Sequence, residues 1–128
     1  MKRLLLDTHV VLWIAENSLQ LKDDHRKLIA DESVEKFVSI ASVWEIAIKL
    51  GRENFHLEGG LGGFLQMIKA NNLPILPIKE EYLHLIPTMP KFHKDPFDRL
   101  LIAAAKAENM TLMTIDANIH KYAVSWFW

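Results

Sequence analysis

Short apolar runs alternate along this chain with longer segments in which apolar residues recur every three or four positions. The first run, Arg3-Leu4-Leu5-Leu6, stops at Asp7-Thr8-His9 and is followed by Val10-Val11-Leu12-Trp13-Ile14-Ala15, apolar nearly all round. That pattern predicts a buried strand entering a packed helix, with Asp7 at the junction. Residues 21–33 keep Leu21, Leu28 and Ile29 among charges, as a surface helix does, and residues 36–40 form the second strand. Residues 41–54 then turn helical, with Val43, Ile46, Ala47 and Leu50 on one face, Glu45 and Lys49 on another, and Gly51 near the end. A short helix over 64–71 precedes a strand over 73–78, whose Pro74 and Pro77 suit a sheet edge. Residues 79–86 are another short helix. Residues 96–108 make the clearest helix, ended by Asn109, before a strand over 111–115 that stops at Asp116 and a final strand over 124–128.

Strands alternating with helices predict an α/β fold, a parallel sheet of about five strands with helices on both faces. Four of the five glycines crowd into Glu58-Gly59-Gly60-Leu61-Gly62-Gly63, read here as a flexible connector. It lacks the Lys-Ser/Thr ending of a phosphate loop and does not match GxGxxG. Residues 87–94 make a long loop, of the kind that is usually functional or disordered. The four tryptophans, Trp13, Trp44, Trp126 and Trp128, are expected in the core.

At 128 residues the chain is expected to be one domain. The net charge of −1 gives no basic field, so a nucleic-acid contact would need a local patch. With no cysteine, disulfides, thiol catalysis and Cys-containing zinc sites are excluded. Met1-Lys2-Arg3 followed by leucines begins like a secretory signal, but Asp7 and His9 interrupt it, and no segment is long enough to span a bilayer. The expected location is the cytoplasm.

The chemistry concentrates in His93-Lys94-Asp95-Pro96-Phe97-Asp98-Arg99. Asp95 suits a helix N-cap, Pro96 the first helical position, and Asp98 the first turn beside the positive helix end. In an open α/β sheet, ligands bind beyond the carboxyl ends of the strands. Asp7 follows the first strand, Glu45 lies one turn into the helix after the second, Asp116 follows the fourth, and Asp98 opens the helix that feeds the fourth. Four or five carboxylates are therefore aimed at one rim.

Each acid also has an ordinary structural role open to it. Asp7 could cap the first helix, Ser42-Val43-Trp44-Glu45 matches a capping box, Glu45 and Lys49 form an i,i+4 pair, and Asp116 could open a turn. Their coincidence at one rim is what favours a site. Clustered carboxylates repel and raise one another's pKa, and a bound cation relieves this. An all-oxygen set suits Mg²⁺, with Mn²⁺ as substitute. The six histidines show no HExxH and no i,i+4 pairing, and are expected on the surface or individually hydrogen-bonded. A carboxylate-held Mg²⁺ most often serves phosphate-ester chemistry. Lys49, Arg52, Lys94 and Arg99, with Lys91, Phe92 and His93, could form a basic and stacking rim that binds the polyanion.

Leu5-Leu6-Asp7-Thr8-His9, residues 39–49 from Ser39 to Lys49, Asp95-Pro96-Phe97-Asp98-Arg99-Leu100-Leu101-Ile102-Ala103-Ala104-Ala105 and Thr114-Ile115-Asp116 together resemble a PIN-domain ribonuclease, specifically the VapC-type toxin of a type II toxin–antitoxin system. The resemblance spans essentially the whole chain. It implies a Rossmann-like sheet, an acidic quartet of Asp7, Glu45, Asp98 and Asp116, and Asp95 as an added acid acting through water. It further implies dependence on Mg²⁺ or Mn²⁺, endonucleolytic RNA cleavage, a homodimer, and silencing by a cognate antitoxin. PIN domains also process RNA outside toxin pairs. Two other readings stand beside it: a Mg²⁺-dependent phosphohydrolase with Asp7 as nucleophile, although His9 stands where such a site wants a second Asp, and a silent binding module whose acids are caps.

Overall fold

The computed structural model describes residues 3–128, so Met1 and Lys2 of the signal-like start lie outside it. Five strands, β1 (Arg3–Leu6), β2 (Glu35–Ser39), β3 (Ile75–Leu76), β4 (Thr111–Met113) and β5 (Trp126–Phe127), form one sheet in the order β3-β2-β1-β4-β5. Every pairing is parallel. The central strand β1 is covered on both faces, which is why Leu4-Leu5-Leu6 reads as an unbroken apolar run. Successive side chains point to opposite faces. Leu5 packs with Leu112 and the helix Pro96–Glu108, whereas Leu4 and Leu6 pack with the helices on the other side.

Six helices connect the strands: α1 (Thr8–Glu16), α2 (Asp23–Ala30), α3 (Ile40–Leu50), α4 (Gly60–Ala70), α5 (Glu80–Leu85) and α6 (Pro96–Glu108). Val10, Val43, Ile46, Phe64 and Ile68 from α1, α3 and α4 build one core, and Tyr82 with Leu101 and Ile102 from α5 and α6 build the other. β3 lies at the sheet edge, as its flanking prolines predict. The strand order reverses between β1 and β4, so a crevice opens at the carboxyl ends of these two strands.

Several boundaries differ from the sequence reading. α3 begins at Ile40 because Ser39 caps it, its side chain accepting the Ala41 N–H at 3.0 Å; Ser42 lies inside the helix, buried, 2.8 Å from the Thr8 hydroxyl. The helix also ends at Leu50, short of residue 54. The glycine run is no flexible connector: α4 starts within it, at Gly60. Gly59 and Gly60 take φ of +76° and +61°, which turns the chain sharply into the helix. Gly63 is required by close approach, since a Cβ there would sit 2.5 Å from the Glu58 carbonyl oxygen. Burial of Phe64 and Ile68 carries the helix despite its glycines.

This geometry separates two neighbouring glycines. Gly63→Ala should destabilise the protein by roughly 1–3 kcal/mol, because backbone must move to admit the methyl. Gly62→Ala, with nothing within 4 Å of its added Cβ, should stabilise by about 0.5–1 kcal/mol through helix propensity. Thermal unfolding of the two variants should shift in opposite directions.

The tryptophans also depart from expectation. Trp13 and Trp128 pack together, with ring centroids 5.5 Å apart, against the core that holds α1. Trp44 is 58% exposed and Trp126 44%, so both are surface residues. Trp44 occupies the outer face of α3, where its partner is the ring of Phe97 at 5.2 Å.

Residues 87–94 are ordered from inside the protein. A 3-10 turn over Ile86–Thr88 begins the segment. Arg99 on α6 then donates to the carbonyls of Ile86 at 3.0 Å and Pro90 at 2.8 Å, and to the Tyr122 hydroxyl at 3.3 Å. Among the described residues, no helix is long and apolar enough to cross a membrane.

Candidate metal centre

Asp7 leaves β1 at the crevice and is almost fully buried, its side chain 4% exposed. One carboxylate oxygen accepts the His9 N–H at 3.0 Å and so caps α1; the other accepts the buried Thr114 hydroxyl. Thr114 follows β4, and its hydroxyl also accepts the Asp116 N–H at 3.1 Å. The short apolar strands thus deliver Asp7 and Asp116 to opposite sides of one hydroxyl. The cap of α1 and the contact with the turn after β4 are made by the same carboxylate.

Asp98 enters from the first turn of α6. Asp95 caps that helix, accepting N–H groups from Phe97 at 2.8 Å and Asp98 at 3.3 Å, with Pro96 in the first position. Burial pushes the Asp98 carboxyl up to about 7, reinforced by the charges of Asp7, Asp95 and Glu45 and opposed by His93. Burial and neighbouring carboxylates both disfavour the charged form, and here they act together. Asp116 moves the other way. Burial would raise it, but hydrogen bonds from His93 and from the Asn118 N–H hold it below the ordinary carboxylate range.

Glu45 projects from the second turn of α3. Its Oε2 faces Lys49 Nζ at 3.6 Å, while its Oε1 is buried with no hydrogen-bond partner among the described residues. A buried acceptor left unpaired is costly, and an acceptor awaiting a cation or a water removes that cost. Asp7 also raises the pKa of the neighbouring His9, first by a side-chain hydrogen bond and then through space, against the opposing effect of burial.

The family model of the PIN domain matches residues 4–125. The chain belongs to the PIN-domain family. Solved structures agree on the fold. A VapBC2 complex from Rickettsia felis bound to promoter DNA is 15% identical at a TM-score of 0.76, covering 98% of this chain and 97% of that one. FitAcB from Neisseria gonorrhoeae is 18% identical at 0.68, covering 98% and 96%. VapC20 of Mycobacterium tuberculosis, a Sarcin-Ricin loop cleaving toxin, is 12% identical at 0.61, covering 94% and 95%. Sequence comparison with curated proteins finds no match.

The donor set of this PIN domain fits a small divalent cation. It offers carboxylate oxygens from four elements, one of them orphaned, and one carboxyl whose raised pKa a positive charge would restore. An open cavity of about 490 Å³ adjoins it, lined by Glu45, Lys49, Arg52, Lys94, Asp95 and Phe97 among others. Three of the five expected rim cations, Lys49, Arg52 and Lys94, therefore line it beside Glu45 and Asp95, and Lys91 does not. Arg99 does not line this cavity; its guanidinium is spent on the 86–90 carbonyls.

His93, which the sequence reading gave to the basic rim, stands elsewhere. Its Nε2 lies 3.0 Å from Asp98 Oδ2 and 2.8 Å from Asp116 Oδ2, so it stands inside the acidic cluster and not on the outer rim. A search for paired histidines could not find it, because its partners are carboxylates. The available signal was its position two residues before a capping Asp, from which its ring can fold back onto the helix start.

Proposed function

We propose that this PIN domain is a metal-dependent endoribonuclease of the VapC toxin type, acting with Mg²⁺ or Mn²⁺ and silenced by a cognate antitoxin. The observation that supports it is that the charges of Asp7 and Glu45 act on the Asp98 carboxyl while Asp116 meets it at His93, with a cationic cavity beside Glu45. Family membership supports a nuclease, and the toxin complexes among its structural neighbours support the toxin reading.

In this mechanism Asp7 and Asp98 are the metal ligands, and Glu45 and Asp116 complete the shell or orient the attacking water. Bound there, Mg²⁺ supplies an activated water and neutralises charge on the phosphodiester. Thr114 and the His9 amide hold Asp7 in one orientation. The unpaired Glu45 Oε1 is a ready acceptor for a water proton. Lys49, Arg52 and Lys94 bind backbone phosphates along the cavity, which offsets the repulsion between an acidic site and a polyanion. Asp95 is the added acid that acts through water, its Oδ1 accepting the Phe97 and Asp98 N–H groups that start α6.

The toxin reading places the protein in the cytoplasm as a homodimer. Expression in a bacterial host should arrest growth, and co-expression of the antitoxin should relieve the arrest. Growth unaffected by soluble protein, with RNA left intact in Mg²⁺ by the purified chain, would overturn the proposal.

A further inference from the structure

His93 is tied into the protein through its backbone and both ring nitrogens. Its backbone N–H donates to the Tyr122 hydroxyl at 2.9 Å, its Nδ1 accepts the Asp95 N–H at 3.1 Å, and its Nε2 lies between Asp98 and Asp116. An amide N–H can only donate, so Nδ1 presents its lone pair to Asp95 and the ring carries its N–H on Nε2. That N–H donates to Asp116 Oδ2 at 2.8 Å, and Asp98 Oδ2 lies 3.0 Å from the same nitrogen.

We propose that His93 is a positioning residue of the metal centre, a hydrogen-bond donor that fixes Asp116 against Asp98 and stands outside the ligand set. The role rests on the metal-nuclease reading above. The spacing alone suggests a ligand, since donor atoms of His93, Asp98 and Asp116 all lie within 4.8 Å of one another. The Asp95 amide decides otherwise: a nitrogen that bears a proton has no lone pair for a cation. Asp95, capping α6 through its side chain, thereby fixes the tautomer of His93 through its backbone.

The clamp joins two elements that no strand pairing connects, the first turn of α6 and the turn after β4. Two carboxylates brought together there repel, and an N–H directed at Asp116 beside Asp98 offsets the repulsion while fixing one oxygen of Asp116. The second oxygen of Asp116 accepts the Asn118 N–H at 2.8 Å, which sets the orientation of that carboxylate. Outer hydrogen bonds of this kind typically govern metal affinity by 10–100-fold.

The tests use the intact chain. In the metal-free wild type, ¹⁵N NMR of the histidines should show His93 as the Nε2–H tautomer. In the Mn²⁺-loaded wild type, pulsed EPR should show no coupling from a directly bound imidazole nitrogen. His93→Leu should weaken Mn²⁺ binding by roughly 10–100-fold, whereas His93→Gln, which keeps a donor at the ε position, should recover most of that loss. A bound nitrogen, an Nδ1–H tautomer, or equal Mn²⁺ affinity in His93→Leu and wild type would overturn the clamp. If His93→Leu does not fold, the two wild-type spectra still decide. A wild type that takes up no Mn²⁺ overturns the metal reading and this role together, whereas Mn²⁺ uptake with a bound nitrogen overturns the clamp alone.

Discussion

Asp98→Asn is expected to stabilise the metal-free protein at neutral and alkaline pH while reducing RNA cleavage at least about a hundredfold. The stability effect follows from the raised carboxyl. Folding carries Asp98 from an ordinary value of 3.8 to about 7, first by burial and then through the charges of Asp7 and Asp95. A group raised on folding binds its proton more tightly in the folded state. Its contribution to stability is therefore full below about pH 4 and is lost as pH rises through 7. The Asn variant carries no charge at any pH and escapes that loss. Allowing for solvent screening at a partly exposed site, the gain should be about 1–2 kcal/mol at alkaline pH, vanishing towards pH 4. Thermal unfolding in chelator at acid and alkaline pH measures it. Identical pH dependence in variant and wild type would mean that the carboxylates do not share one site.

Asp7→Asn is expected to remove at least about a hundredfold of the cleavage activity and leave the fold standing. The substitution preserves shape. An Asn side-chain oxygen still caps α1 by accepting the His9 N–H, and its amide can donate to the Thr114 hydroxyl in place of the bond Asp7 accepts. The stability cost should stay within about 1 kcal/mol. Asp7→Ala is the useful contrast, because it strips the cap and leaves a buried Thr114 hydroxyl short of a partner, costing roughly 2–3 kcal/mol. Circular dichroism melts beside a cleavage assay separate the two variants. An Asp7→Asn protein that cuts RNA at the wild-type rate would exclude Asp7 as a metal ligand.

Much of this arrangement is legible in the sequence, and the boundary of what is legible has physical causes. Local chemistry is readable: Asp95 and Pro96 start α6 and Asn109 ends it, just as capping preferences dictate. Alternation of buried strands and helices gives the parallel sheet, and the carboxyl-edge rule then brings together acids distant in sequence. What escapes is decided by long-range contacts. Glycines in α4 read as a linker because only the packed fold reveals the Glu58 carbonyl beside Gly63. Ser42 matches a capping box, yet the cap falls at Ser39, and only the folded core shows Ser42 against Thr8. Arg99 reads as a phosphate-binding cation until the loop it fastens is seen in three dimensions. His93 lies hidden for the same reason, since its meaning depends on Asp116, 23 residues away.

The measurement that bears most directly on the central claim is metal add-back. Purified wild-type protein, stripped with excess chelator, is given a single-stranded RNA and then Mg²⁺ or Mn²⁺. No internal cleavage is expected in the chelator, and cleavage should return on adding either ion. Equal cleavage with and without chelator would contradict the metal centre built from Asp7, Glu45, Asp98 and Asp116.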